Sequence, residues 1–207
     1  MTMKDIINLR TEDNKRYFFA DAENFKTRDD DGNPIIEGYF AVFNTETELW
    51  DGAFEKIAPT AFDSSISGDI RALINHDTTL VIGRTTNGTL ELKVDSRGLW
   101  GRIRINPKDS DAVNLYERVK RGDVSQCSIG FDIVSEETEF RDNGDIHWTI
   151  KEINPLYEVS CCTFPAYEST NIDARTRQRD DILKRKNEAW RKTMKGRLKN
   201  GTQSIDD

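Results

Sequence analysis

Between residues 35 and 105 the chain is a succession of short apolar runs separated by turn-forming pairs, and this rhythm restricts the fold more than any other feature. The runs 35–43, 54–57, 70–74, 80–84, 90–94 and 99–105 are each of strand length. The intervals between them carry turn chemistry, notably Thr86-Asn87-Gly88 and Ser96-Arg97-Gly98. Asp29-Asp30-Asp31-Gly32-Asn33-Pro34, ahead of the first run, is a further turn. Its spacing and its missing terminal Glu do not match a calcium loop. Runs of this length broken by Asn-Gly and Arg-Gly describe antiparallel strands. A strand over 16–20, a hairpin over 140–150 centred on Asp142-Asn143-Gly144-Asp145, and a last core strand over 156–163 complete the set.

Three stretches break the period. Ala112, Leu115, Tyr116 and Val119 recur at helical spacing, with Asp109, Ser110 or Asp111 to cap the start and Gly122 to end it. Pro59-Thr60-Ala61-Phe62 reads as the start of a short helix. From Asp173 charged helix formers dominate, and Leu183, Trp190, Met194 and Leu198 fall near one face. The fold expected is β-dominated α+β: an antiparallel β-barrel core with a few flanking helices and a C-terminal amphipathic helix. Its parts are an N-terminal, partly flexible segment 1–34, a barrel domain 35–172 and a basic helical tail 173–207.

The chain's 207 residues suffice for one core with a tail, and the 36% hydrophobic to 32% charged balance leaves part of it solvated. Net charge is −7, which argues against nucleic-acid binding as the main role. Residues 173–207 hold eleven Lys/Arg against six Asp/Glu, or +5 of that −7, which leaves −12 for residues 1–172. A basic tail on an acidic body suits a partner-binding segment. No apolar run is long enough to cross a membrane, and the opening Met-Thr-Met-Lys-Asp-Ile-Ile is too short and polar for a signal peptide. Three cysteines, two of them adjacent, do not make a disulfide framework and fit a reducing cytoplasm.

The chemistry candidates centre on Ser125-Gln126-Cys127-Ser128-Ile129-Gly130-Phe131. Strand alternation puts Cys127, Ile129 and Phe131 on one face and Ser128 on the other, beside the open position at Gly130. His76, one of two histidines, ends the run 70–74 between Asn75 and Asp77. A serine hydroxyl becomes a nucleophile when an imidazole takes its proton and a carboxylate fixes that imidazole's tautomer. Glu158, a lone carboxylate in an apolar strand, is the best third member because a charge there needs a partner. Each also has an ordinary reading: strand serine, loop histidine, outward-facing strand glutamate. His147 reads as an exposed cross-strand residue, and Asp77 lies too close in sequence to orient His76 easily. Cys127 is the alternative nucleophile, although its face is the apolar one. No cysteine–histidine spacing suits zinc, and neither a phosphate-binding glycine loop nor a Gly-x-Ser-x-Gly elbow is present. Neither a cofactor nor a metal is expected.

Taken in order, several segments resemble one family. They are Gly38-Tyr39-Phe40-Ala41-Val42-Phe43-Asn44, Phe54-Glu55-Lys56-Ile57-Ala58-Pro59-Thr60-Ala61-Phe62, Asn75-His76-Asp77 and Ile82-Gly83-Arg84-Thr85. Asp95-Ser96-Arg97-Gly98-Leu99, Ser128-Ile129-Gly130-Phe131, Glu158-Val159-Ser160 and Phe164-Pro165-Ala166-Tyr167 continue the series. The ordered set resembles the prohead (head maturation) serine proteases of HK97-like tailed phages, which are related in fold to the herpesvirus assemblins. The resemblance spans roughly residues 35–170.

It implies a serine endopeptidase inside the assembling prohead, in the host cytoplasm. Such an enzyme cleaves scaffold or the N-terminal scaffolding region of the major capsid protein, and then itself. The family's serine and histidine fall on Ser128 and His76, and its acidic member on Glu158, where assemblins use a second histidine. The assemblins' oxyanion arginines have no counterpart, since no Arg follows Glu158 before Arg175. Backbone N–H groups near Gly130 or over 161–164 are the substitutes considered. By analogy with assemblins the active form is a homodimer. For the tail, the expected roles are binding to capsid protein, scaffold or the portal, or service as a self-cleaved targeting segment; its ordinary reading is a solvated terminal helix docked on its own barrel. The competing function is a catalytically inactive, scaffold-like assembly protein.

Overall fold

The computed structural model describes residues 15–21, 25–30, 32–164 and 169–201. In chain order the strands before the first helix are β1 (Lys15–Asp21), β2 (Lys26–Asp30), β3 (Asn33–Val42), β4 (Thr47–Trp50), β5 (Ala53–Ile57), β6 (Arg71–Ile74), β7 (Asp77–Arg84), β8 (Leu90–Val94) and β9 (Gly98–Arg104). Helix α1 (Ser110–Arg121), β10 (Gln126–Phe140), β11 (Ile146–Cys162) and helix α2 (Ser169–Gly201) follow. The chain divides into two compact units, Met1–Tyr167 and Glu168–Asp207. Of the expected partly flexible segment 1–34, residues 1–14, 22–24 and 31 lie outside the described residues, while Lys15–Asp21 and Lys26–Asp30 form β1 and β2.

The strands form two sheets. One has seven strands in the order β1-β10-β11-β5-β4, with β6 also on β11 and β7 on β6; the other runs β2-β3-β9-β8. No ladder among the described residues closes them into a ring, because four strands pair among themselves as the second sheet. Two pairings differ from the antiparallel expectation. β5 and β6 both run parallel to β11, β5 against Ile146–Ile150 and β6 against Glu158–Cys161. β11 is long enough to take both along one edge, while β10 pairs antiparallel along the other.

A smaller cluster holds Ala53, Ile146 and Trp148, and most apolar faces meet in a main cluster that includes Ile36, Phe40, Leu99, Ile103, Leu115, Ile129, Phe131, Ile150 and Val159. Each such side chain contributes about 1.5–3 kcal/mol by leaving water. Helix α1 follows its sequence signals. The Asp109 side chain accepts from the N–H groups of Asp111 and Ala112, Gly122 ends the helix at φ 88°, and Ala112, Leu115, Tyr116 and Val119 are buried. The short helix expected after Pro59 does not form. Residues 59–67 are consecutive turns, closed by bonds such as Ala61 N–H to Ala58 O and Asp63 N–H to Thr60 O. Both Ala61 and Phe62 are fully buried there, so the segment serves as a plug over the core. Helix α2 begins at Ser169, four residues ahead of the composition change, and exposes Leu183 and Trp190. The side chain of Leu198 lies outside the described residues.

Candidate active site

The register of β10 and β11 assembles one face. Ser128 pairs with Ser160, Gly130 with Glu158 and Gln126 with Cys162. Because alternate residues share a side, Ser128, Glu158, Ser160 and Cys162 project together. Cys127, Ile129, Val159 and Cys161 go to the core beneath.

His76 reaches this face from the turn between β6 and β7. Ile74 pairs with Asp77, so Asn75 and His76 are the two central residues of the hairpin, at φ 51° and 63°. Positive φ at both positions is the type I′ geometry. Asn tolerates it readily, and for His it is uncommon and costs energy. Contacts with the end of β11 hold the turn. Asn75 N–H donates to Cys161 O (3.0 Å), Thr163 N–H donates to Asn75 Oδ1 (2.9 Å), and His76 N–H donates to Ser160 Oγ (3.2 Å). The result aims the imidazole at β11, with Nδ1 2.6 Å from Glu158 Oε1.

Glu158 is 3% exposed. A carboxylate so far from water persists only with partners for both oxygens. Oε1 has His76, and Oε2 accepts from Ser160 Oγ at 2.6 Å. Beside an acceptor-only carboxylate, Nδ1 carries the hydrogen and Nε2 keeps the lone pair. The sequence suggested that Gly130 leaves space beside Ser128, yet Glu158 occupies that space. A Cβ at Gly130 would lie 2.4 Å from Glu158 Oε1 and 3.2 Å from its Cδ and Cγ. Gly130→Ala is therefore expected to push the carboxylate off His76. Displacement of this order lowers turnover about a hundred-fold. Peptide-cleavage kinetics with a melting curve of the same variant check it; the fold should persist, since the clash falls on a side-chain end.

Ser128 is fully buried, and its Oγ has no hydrogen-bond partner among the described residues. His76 Nε2 faces Cys162, with Sγ at 3.8 Å. Burial, and then the Glu158 charge, push the Cys162 thiol up to about 12, so it stays protonated at neutral pH. Ser128, His76 and Glu158 thus share one face, with His76 and Glu158 in contact and Ser128 one strand away.

A family model for the caudovirus prohead serine proteases matches residues 23–185. The chain belongs to this family. It is 32% identical over 158 residues to the prohead protease of Enterobacteria phage HK97, an alignment covering 74% of the chain. The chain spans 65% of the length of that relative. A solved structure of the bacteriophage T4 capsid assembly protease covers 73% of the chain and 99% of its own, at 10% identity and a TM-score of 0.40.

The other candidates in this member of the family lie elsewhere. Cys127 is in the core, its Sγ donating to Tyr39 O at 3.2 Å. Asp77 accepts from the N–H and Oγ1 of Thr79. His147 is 3% exposed rather than a surface residue: it stacks on Phe54 with centroids 4.7 Å apart, and its Nδ1 is 3.0 Å from Glu46 Oε1. Of the N–H groups considered for an oxyanion, that of Thr163 is engaged by Asn75. Sequence reasoning missed Ser160 and Cys162. The available signal was the i, i+2, i+4 alternation from Glu158, which puts both on its face.

Proposed function

We propose that this chain is a serine endopeptidase of capsid maturation, with Ser128 as nucleophile, His76 as general base and Glu158 as the group that orients and stabilises the imidazole. The reading rests on one observation, the His76–Glu158 pair on the face that carries Ser128, in a chain of the prohead serine protease family. In the reaction, Nε2 takes the Ser128 proton as Oγ attacks the scissile carbonyl, and His76 returns that proton to the leaving amine. Water then repeats the cycle on the acyl-enzyme. Glu158 stays ionised and balances the imidazolium.

The substrates we assign are the scaffold or the N-terminal scaffolding region of the major capsid protein, together with the chain itself, inside the prohead in the host cytoplasm. Ser128 is fully buried, so a peptide reaches it only after the face opens. We assign that opening to association of two copies at prohead concentrations. The basic helix α2 is the segment we assign to contact capsid, scaffold or portal.

Ser128 Oγ, without a hydrogen-bond partner among the described residues, also suits a scaffold-like protein without activity. Co-expression with the major capsid gene of the same phage separates the two, read by intact mass. Capsid protein shortened by the wild-type chain and left whole by Ser128→Ala supports the protease. Whole protein in assembled particles with either chain overturns it and leaves the scaffold reading.

A further inference from the structure

Among the described residues, the Ser160 side chain is bonded to both members of the His76–Glu158 pair. Its Oγ donates to Glu158 Oε2 at 2.6 Å and accepts the backbone N–H of His76 at 3.2 Å. With the Nδ1–Oε1 contact of 2.6 Å these bonds close a ring from the His76 backbone through Ser160 and Glu158 to the imidazole. Ser160 is fully buried, and it sits directly across the β10–β11 ladder from Ser128.

We infer that Ser160 is a positioning residue for the reaction, acting through Glu158 and His76. This inference rests on the catalytic reading above. A carboxylate with one free oxygen rotates about its terminal bond and swings Oε1 away from Nδ1. The Ser160 hydroxyl occupies the second oxygen and fixes the plane. The same hydroxyl is the acceptor for the N–H of a residue held at φ 63°, where the backbone needs outside contacts to stay. A buried hydroxyl that could satisfy itself with one bond makes two, each to a different member of the pair. An ordinary packing serine has no reason to link them. Ser160 has no bond to Ser128, whose Oγ is without a partner among the described residues, so its influence on the nucleophile passes through His76.

The test uses the full chain and a peptide spanning the capsid cleavage site, comparing wild type with Ser160→Ala and Ser160→Cys. The cysteine keeps the volume and donates only weakly, which separates the hydrogen bonds from packing. Both variants are expected to lose about ten- to a hundred-fold in kcat with KM near wild type, because substrate does not touch Ser160. Adding Ser160→Ala to Glu158→Gln should cost no more than about two-fold further, since groups acting as a unit are not additive.

A readout independent of turnover accompanies these. The short Nδ1–H bond gives a low-field imidazole proton resonance, and the inference expects it to be lost or broadened in both Ser160 variants. Wild-type kcat in both variants overturns the inference, and so does an undiminished loss in the Glu158→Gln background. An unmoved resonance overturns it as well. A wild-type chain that cleaves nothing sinks the protease reading instead, and the resonance still decides whether Ser160 holds the pair.

Discussion

Ser128→Ala is expected to lower peptide cleavage by about 10⁴–10⁶-fold and to raise thermal stability slightly. The two effects have one cause. Ser128 Oγ is buried with no hydrogen-bond partner among the described residues, and an unpaired buried hydroxyl costs about 1–3 kcal/mol of desolvation. Alanine removes that cost and leaves only a small gap. Loss of activity with gain of stability is the mark of a group retained for chemistry against the interest of the fold. Cys127→Ala is expected to do the reverse. Its thiol is fully buried in the core on the opposite face, so activity stays and stability falls. Kinetics and melting curves of both variants, measured side by side, decide the nucleophile. Cleavage lost in Cys127→Ala and kept in Ser128→Ala would overturn the serine mechanism.

How much of this was legible in the sequence depends on how local each determinant is. Helix α1 was legible down to its caps, because the Asp109 bonds and the Gly122 left-handed residue are made within a few positions of the helix. The hairpin at 142–145 was legible for the same reason, with Gly144 at φ 95° closing it between β10 and β11. The parallel placement of β5 and β6 on β11 left no local mark, since it is decided by which edges remain open once distant strands have paired. The segment after Pro59 carries helix-start chemistry, yet tertiary burial of Ala61 and Phe62 overrides it.

At the site, Glu158 stood out as a charge in an apolar strand, and the structure gives that charge two partners. What the strand pattern did not reveal was register. Only the Ser128–Ser160 and Gly130–Glu158 pairings explain why Gly130 is needed and why Ser160 belongs to the cluster. His147 was misread because its hairpin neighbours Arg141, Asp142 and Asp145 are charged. Its burial comes from Phe54 and Glu46, about a hundred residues away in the chain for the latter.

Glu158→Gln is expected to lower kcat about 10³–10⁴-fold with little change in KM. Both carboxylate oxygens are acceptors here, Oε1 from His76 Nδ1–H and Oε2 from the Ser160 hydroxyl. An amide offers one acceptor and one donor, so it cannot serve both partners as they stand. If its NH₂ faces His76, the imidazole takes the other tautomer and Nε2 can no longer accept the Ser128 proton. If its oxygen faces His76, the hydroxyl of Ser160 rotates to accept, geometry survives, and only the charge that stabilises the imidazolium is gone. Glu158→Asp tests distance separately: the charge remains but retreats one methylene from Nδ1, for an expected loss of about a hundred-fold. That retreat also vacates the space over Gly130 that a Cβ would otherwise contest at 2.4 Å. Gly130→Ala and Glu158→Asp should therefore combine to a loss smaller than the product of their separate losses. Cleavage kinetics of the two single variants and the double variant measure this directly. A fully multiplicative loss would mean that Gly130 and Glu158 act on different things, and the close packing of carboxylate on glycine would then have no part in catalysis.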